Sequence, residues 1–514
     1  MIFDWLLAIT PILAILILMV RFRWGAAKAG PVGWLTAVVL AVARFGADID
    51  LIALAQVKGL LLTIDVLMII WAAFLLYRVA DEAGAIKIIG EALPHFTADV
   101  GMQALLIGWA FASFLQGVGG FGVPVAVTAP LLVGLGFSPL NAVLIPSIGH
   151  AWAVTFGSLA SSFQALIATS GIPGELLASP AALLLGLSGF VCGLMVAYVS
   201  GGWSTARRML LPVLVIGLVM AGAQYLLATH GLWNIGGFGG GMAGLVVGVL
   251  ITPRYRGARN RDMHEPFNGR KLGLALSGYL ALILVTLAVQ LIPPVRAFLG
   301  QIVLRVSFPA TETARGYVTE AGLGRTIPFF RHAGAILGYT SVTAYLLYRR
   351  AGMYQDGAGR RILLGTLRRV TSSSLGIAAM VAMAVIMSHA GMTDVLARGL
   401  AESVGALFPL VSPWIGALGA FMTGSNTNSN VVFTLLQRRT AELLGYLVPW
   451  ILAAQTTGGA IGSVVAPTKV VVGASTAGMG GREGVVMSAL LKYVGLLILV
   501  VSVIMGVLLF AEAL

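Results

Sequence analysis

Two stretches of unusual residue type lie deep inside apolar sequence. The first is Gln116-Gly117-Val118-Gly119-Gly120-Phe121-Gly122, with four glycines in seven residues, and the second is Gly424-Ser425-Asn426-Thr427-Asn428-Ser429-Asn430, built of glycine, hydroxyl and amide residues alone. Ser425, Asn426, Thr427, Asn428, Ser429 and Asn430 offer both hydrogen-bond donors and acceptors, enough to hold a small carboxylate and a hydroxyl. The competing use is to satisfy one another and the interrupted backbone. Gly117, Gly119, Gly120 and Gly122 would let backbone N–H groups approach a ligand, or would let helices pack closely. Gln116 and Asn426, at the centres of the two stretches, are expected to touch the ligand. Thr457 and Gly458, within Thr456-Thr457-Gly458-Gly459, extend the polar set.

Three ionisable residues are candidates for proton or ion coupling. His150 lies in a second interruption, His150-Ala151-Trp152-Ala153-Val154-Thr155-Phe156-Gly157, and imidazole titrates near neutrality. Its plainer role is a neutral ring bonded to a carbonyl. Lys469 follows Pro467 and is placed either to pair with an anion or to snorkel to the inner surface. Asp65 sits in the middle of a long apolar run, where an isolated carboxylate is expensive and should be paired or protonated. A structural pair is favoured over a place on a coupling path. No catalytic constellation competes with a binding role. HExxH, Walker A and GxSxG patterns are absent and Cys192 is the single cysteine, which argues against an enzyme and a cysteine metal cluster and excludes an intramolecular disulfide.

The elements that must position these residues are membrane helices. The chain has 514 residues, 58% hydrophobic and 10% charged, whereas a soluble domain carries about 25% charged residues. Apolar runs of about 20 residues recur from end to end, the length that spans a bilayer as a helix. The net charge of +13 fits cytoplasmic loops facing anionic headgroups, and no interleaving of basic and aromatic residues suggests nucleic acid. Unpaired backbone inside hydrocarbon is tolerated only where it is buried in protein or lines a polar cavity, so the interruptions mark re-entrant hairpins and broken helices.

The expected fold is therefore an all-α polytopic membrane protein with about 12 spans. Scaffold spans occupy 1–78. A first repeat covers 79–200, with a hairpin at 101–137 and a broken helix at 140–170. Central scaffold spans fill 201–390, with cytoplasmic loops at 252–271 and 349–369. A second repeat covers 391–514, with a hairpin at 409–440 broken over 424–430, and a helix over 444–477 broken near Thr456 to Gly459. Met1 to Val20 reads as a retained first span rather than a cleaved leader. Basic loops put both termini outside, and the two repeats then enter from opposite sides. The segment 293–328, with Arg296, Arg305, Arg315 and Arg325, falls outside, and so do Arg438 and Arg439. Gly84/Gly391, Phe114/Phe421, Gly117/Gly424, Gly171/Gly478 and Gly174/Gly481 share one spacing of 307 residues.

At the hairpins the sequence resembles the bacterial lactate permease family of carboxylate/proton symporters. The resemblance rests on Phe114 to Ala126 (FLQGVGGFGVPVA), Leu131 to Phe137, Ala223 to Leu226, Thr423 to Asn430 and Thr457-Gly458-Gly459. It implies a secondary transporter in the bacterial inner membrane, working by an elevator form of alternating access on lactate or glycolate. The family usually has Glu where Gln116 stands, Asp where Asn426 stands, Asn where His150 stands and Lys where Ser463 stands. With both tip acids replaced by amides, the coupling ion is H+ or Na+, and another organic anion remains an alternative substrate. A channel and an intramembrane enzyme are further, less favoured alternatives. Expected partners are the substrate anion and the lipid bilayer, with a homodimer among the possible assemblies and no cofactor beyond the coupling ion.

Overall fold

A computed structural model describes residues 2–22, 24–120, 122–255, 268–324 and 326–511. The chain opens with three scaffold helices, α1 (Ile2–Val20), α2 (Ala26–Ala43) and α3 (Ile49–Glu82). The side chain of Asp48 caps α3 by accepting from the Leu51 N–H at 2.7 Å. A short amphipathic helix, α4 (Ala85–Ala92), turns its apolar face inward.

The first hairpin descends through α5 (Val100–Gln103), a π-helical stretch (Ala104–Phe111) and α6 (Ala112–Val118), and returns through α7 (Val123–Gly134). The broken helix that follows is α8 (Pro139–Gly149) and α9 (Ser161–Ser170). Helix α10 (Gly174–Arg208) crosses back, and the central spans are α11 (Leu210–Thr229), α12 (Gly236–Ile251) and α13 (Gly269–Leu291). After α14 (Pro293–Leu299) come α15 (Ala333–Arg350) and α16 (Ala358–His389). The second half then repeats the pattern. Helix α17 (Met392–Val404) is amphipathic, α18 (Phe408–Thr423) and α19 (Asn426–Leu444) form a hairpin, α20 (Val448–Gly462) and α21 (Pro467–Thr476) form a broken helix, and α22 (Glu483–Ala511) closes the chain.

The repeat is visible in backbone conformation as well as in order. Gly84 and Gly391, the residues before the two amphipathic helices, both adopt left-handed φ (+69° and +76°), as do Gly171 and Gly478 (+69° and +74°) after the two broken helices. Among the described residues, eleven helices are long and apolar enough to cross a membrane, or twelve with the bent pair Val448–Val465 and Pro467–Thr476 counted as one span. The expected number holds, although this count includes hairpin limbs and leaves out α1 and α15.

Three expectations need correction, and one segment carries structure that the sequence did not show. The break in the second hairpin is confined to Gly424 and Ser425, because Ser425 caps the next helix and lets Asn426 to Asn430 form its first turns. The helix over 448–462 runs unbroken through Thr456 to Gly459, and its bend of 43° comes later, at Ser463 to Ala466, where Pro467 cannot continue the ladder. The loop drawn over 349–369 shrinks to 351–357, since α16 starts at Ala358 after the left-handed Gly357. The segment 293–328, to which the sequence assigned no secondary structure, forms a ribbon. It pairs β1 (Val303–Leu304) with β6 (Ile327–Pro328), β2 (Ser307–Phe308) with β5 (Gly322–Leu323), and β3 (Thr311–Glu312) with β4 (Val318–Thr319) in one antiparallel ribbon. The ribbon's tip is tied to the scaffold by the Ala314 N–H, which donates to Gly46 O at 2.8 Å. Arg325 and most of the 252–271 loop lie outside the described residues.

The core gathers round the first hairpin. Trp109, Phe111, Phe114, Trp152, Phe156, Phe163 and Phe238 are fully buried there, and ring pairs such as Phe156–Phe163 (4.8 Å) and Phe114–Tyr279 (4.9 Å) lock the interrupted segments in place.

Candidate functional site

The two hairpin tips and the two helix breaks meet. At the first tip, the chain leaves α6 at Val118 and re-enters α7 at Val123, whose N–H donates to Gly120 O at 2.9 Å. Gly120 and Gly122 have φ of +59° and +89°, the left-handed region open to glycine. A side chain on Gly120 would collide with the Ser158 hydroxyl and crowd the Gln116 amide, so this tip is pressed onto the break between α8 and α9. Gln116 is buried and its Oε1 has no protein partner among the described residues. Gly119 packs on the Tyr77 ring of α3. Gly117 is not free to face a ligand, because a Cβ there would run into the backbone of Phe238 in α12. Phe121 lies outside the described residues.

The first break is an extended interruption from His150 to Ala160. Its last three residues, Ser158, Leu159 and Ala160, all have positive φ (46°, 55° and 64°). Left-handed backbone costs an L-residue about 1–2 kcal/mol each, so the turn survives only because its surroundings impose it. Ala160 N–H donates to Gly157 O at 2.9 Å and Phe163 N–H to Thr155 O at 3.2 Å. His150 contacts Pro146 O through Nδ1 at 2.6 Å, which fixes the proton on that nitrogen, and its Nε2 has no protein partner among the described residues.

The second tip carries the polar side chains. Ser425 Oγ accepts from the Asn428 N–H at 3.4 Å and starts α19. Asn426 Nδ2 donates to Thr155 Oγ1 at 3.1 Å and approaches Thr456 Oγ1 at 3.4 Å. Asn430 Nδ2 donates to Ser162 O and to Thr456 Oγ1, both at 2.9 Å. The Ser162 and Thr427 hydroxyls are 3.1 Å apart, and so are those of Thr155 and Thr456. Ser429 Oγ donates to Gly416 O at 2.7 Å and receives Gln455 Nε2 at 3.1 Å, so it serves the α18–α19–α20 packing. The second tip is thus bonded both to its own repeat, through Thr456, Gly416 and Gln455, and to the first repeat's broken helix, 265 to 271 residues away in sequence. Oδ1 of Asn426, Asn428 and Asn430 and Oγ1 of Thr457 have no protein partner among the described residues. Gly458 is a packing residue, since a Cβ there would overlap Pro413 O of α18.

Helix α21 runs past both tips. A Cβ on Gly424 would lie 3.0 Å from Thr468 Oγ1, and one on Gly122 would lie 3.7 Å from Val472. Lys469, on the same turn as Thr468, is 8% exposed. Its Nζ donates to Ser463 Oγ at 2.9 Å, and it has no carboxylate partner among the described residues. A buried ammonium at the start of the helix that runs past both tips is therefore bonded only to a hydroxyl of the second break among the described residues. N-termini of α7, α9, α19 and α21 converge on that region, and each presents N–H groups and the positive end of its dipole. This is chemistry for a small anion that also carries hydrogen-bonding groups.

Asp65 belongs elsewhere. It is fully buried in α3 and sits 2.9 Å from His332 Nε2. The pairing expectation is met, with a partner the sequence did not identify. Thr155, Ser162 and Thr456 were also missed as site residues. Their signal was faint: single hydroxyls in apolar runs beside an interruption. Arg438 pairs with Glu442 at 2.8 Å and Arg439 with Asp394 at 2.5 Å.

Comparison with known proteins covers almost the whole chain. The family described as L-lactate permease matches residues 4–511. The L-lactate permease of Escherichia coli K12 is 27% identical over 440 residues, 81% of this chain and 79% of its own length. The glycolate permease GlcA of the same strain is 27% identical over 516 residues, covering 93% and 90%. The L-lactate permease of Bacillus subtilis 168 is 28% identical over 560 residues, 98% of each chain.

Proposed function

The chain belongs to the L-lactate permease family, and from that premise we propose that it carries a small 2-hydroxy monocarboxylate, such as lactate or glycolate, across a bacterial inner membrane by ion-coupled alternating access. The observation that carries this reading is the buried Lys469 at the N-terminus of α21, the helix that runs past two tips whose amides and hydroxyls have acceptors to spare. In this reading the substrate carboxylate takes the ammonium and the free N–H groups at the starts of α19 and α21. Its hydroxyl donates to one of the unpartnered amide oxygens of Asn426, Asn428 or Asn430 and accepts from a neighbouring side chain. The hairpins and broken helices move as one body against the scaffold, and the bonds of Asn426, Asn430 and Thr427 to the first repeat hold that body together.

Sodium coupling is a second reading, and a specific feature favours it. The acceptor oxygens of Gln116, Asn426, Asn428, Asn430 and Thr457 are neutral and uncommitted, the donor type that suits a hard monovalent cation. The test is counterflow in proteoliposomes. Vesicles loaded with unlabelled L-lactate or glycolate should take up the labelled compound in exchange, whatever ion is coupled. Repeating net uptake with a pH gradient and with a sodium gradient then assigns the ion. Absence of counterflow for both compounds would sink the substrate reading.

A further inference from the structure

The tips and breaks hold more acceptors than the protein fills. Oε1 of Gln116, Oδ1 of Asn426, Asn428 and Asn430, Oγ1 of Thr457 and Nε2 of His150 all lack a protein partner among the described residues. The side-chain N–H groups of Asn426 and Asn430 are already spent on Thr155, Ser162 and Thr456. A ligand that fills this site must bring donors of its own, because a buried acceptor left unpaired is costly.

His150 differs from the other five. It is 1% exposed and caps the end of α8, at the start of the first break. Its Nδ1–H is held by Pro146 O at 2.6 Å, which leaves Nε2 as the nitrogen with the lone pair. Five residues on, Thr155 of the same break receives Asn426 of the second tip. Helix α8 packs against α21 and against the bend that precedes it. The contact is close: a Cβ on Gly473 of α21 would lie 2.8 Å from Val143 of α8. Across it the charge of Lys469 reaches the His150 ring.

That ammonium decides what can meet Nε2. Helix α8, the first break and α20 carry no charged residue, and the helices packed on α8 and α21 bring acids only at Glu175 and Glu483, in the first turns of α10 and α22. A second proton on the ring would set two positive charges together with no acid between them, so the ring is neutral and Nε2 is an acceptor alone. A metal cation is disfavoured twice, because Lys469 repels it and hard cations such as Na+ choose oxygen over imidazole. A ligand ammonium meets the same repulsion. A neutral O–H is the donor that fits. The carrier reading already gives the 2-hydroxyl of the substrate to an amide oxygen of the second tip, so His150 has room for another hydroxyl.

We propose that His150 and Lys469 form a subsite for a hydroxyl near a carboxylate, and that the preferred cargo is a 2,3-dihydroxy monocarboxylate, of which glycerate is the smallest. The proposal rests on the carrier reading above. The carboxylate takes Lys469, one hydroxyl donates to the second tip, and the other donates to Nε2 of His150. Both repeats then read the same small molecule. Lactate and glycolate bind with the His150 lone pair unfilled.

The test uses the purified full-length protein in liposomes. Unlabelled glycerate and unlabelled L-lactate compete against counterflow of labelled L-lactate, and the ratio of their half-inhibitory concentrations is read. Glycerate should inhibit wild type at about tenfold lower concentration, the worth of one buried hydrogen bond. His150→Phe keeps a buried ring without the acceptor, and the ratio should fall to about one. Lys469→Met should weaken both acids alike and leave the ratio standing. His150→Gln covers the case where His150→Phe does not fold. Its amide oxygen can accept, so glycerate should stay ahead of lactate, and a lost preference there counts against the proposal. Equal inhibition of wild type by the two acids, the result expected if water alone fills the subsite, overturns it. A ratio that survives His150→Phe overturns it as well. Calorimetric titration of glycerate into the protein in detergent separates this idea from the carrier reading. Glycerate binding without lactate counterflow would condemn the lactate reading and keep the subsite. Lactate counterflow without glycerate binding would condemn the subsite alone, and absence of both signals would condemn both.

Discussion

The two hairpins share a backbone plan and divide the chemistry unequally. The first turns through Gly119 to Gly122 with two left-handed glycines, sits on a π-helical limb, and offers main-chain groups and one amide, Gln116. The second turns in two residues, Gly424 and Ser425, and then presents a helical turn of amides and hydroxyls. Their partner breaks differ in the opposite sense. The break facing the second tip is long and holds three consecutive left-handed L-residues, while the one carrying Lys469 is a short bend of 43°. The lesson is that a duplicated fold need not duplicate its site. One half supplies shaped backbone and the other supplies side chains, and the working surface exists only where they cross.

This asymmetry can be broken experimentally. The largest effect is expected from Lys469→Met, which removes a buried charge on the helix that runs past both tips. Charge-assisted bonds are worth about 1.5–3 kcal/mol, so uptake at subsaturating lactate should fall by about 10–100-fold while membrane abundance holds. Asn430→Ala comes next. It removes a donor shared by Ser162 O and Thr456 Oγ1, and uptake should drop by about tenfold, since a buried polar group left unpaired costs about 1–3 kcal/mol. Comparing Gly120→Ala with Gly424→Ala sharpens the contrast between tips. Both incur a left-handed penalty of about 1–2 kcal/mol, but only Gly120 is pressed hard onto its neighbour, so its variant should show the lower melting temperature in detergent. Equal melting temperatures would mean that the first tip is looser than its packing implies. The smallest effect is expected from Asn428→Ala, whose side-chain oxygen has no protein partner among the described residues. Uptake should fall by a few-fold with unchanged abundance, and unchanged uptake would take Asn428 out of the site.

Much of the architecture was legible because hydrocarbon punishes polar backbone. Interruptions at Gln116–Gly122, His150–Gly157 and Gly424–Asn430 stood out against apolar sequence, and their recurrence in order exposed the repeat. Their extent was less legible. Thr456 to Gly459 looked like a break, but Gly458 is there to let α18 and α20 touch, and Thr456 stays helical with its hydroxyl bonded to Asn430. Ser425 reads as one more polar residue until its cap on Asn428 shows that the helix has already begun. The ribbon over 303–328 was missed because its paired stretches are two residues long, too short for any alternation to register.

By itself, the sequence determined that this is a polytopic membrane protein with two similar halves, and it determined which stretches could not be ordinary lipid-facing helix. Both follow from local rules: apolar length, charge placement and the cost of unpaired backbone. Only the tertiary structure decided that Asn426 and Asn430 bond to the other half, that Lys469 turns inward beside the tips, and that Asp65 has His332 for a partner. Those pairings join residues about 270 positions apart, and no local pattern encodes which of many distant donors and acceptors will be brought together once the helices pack.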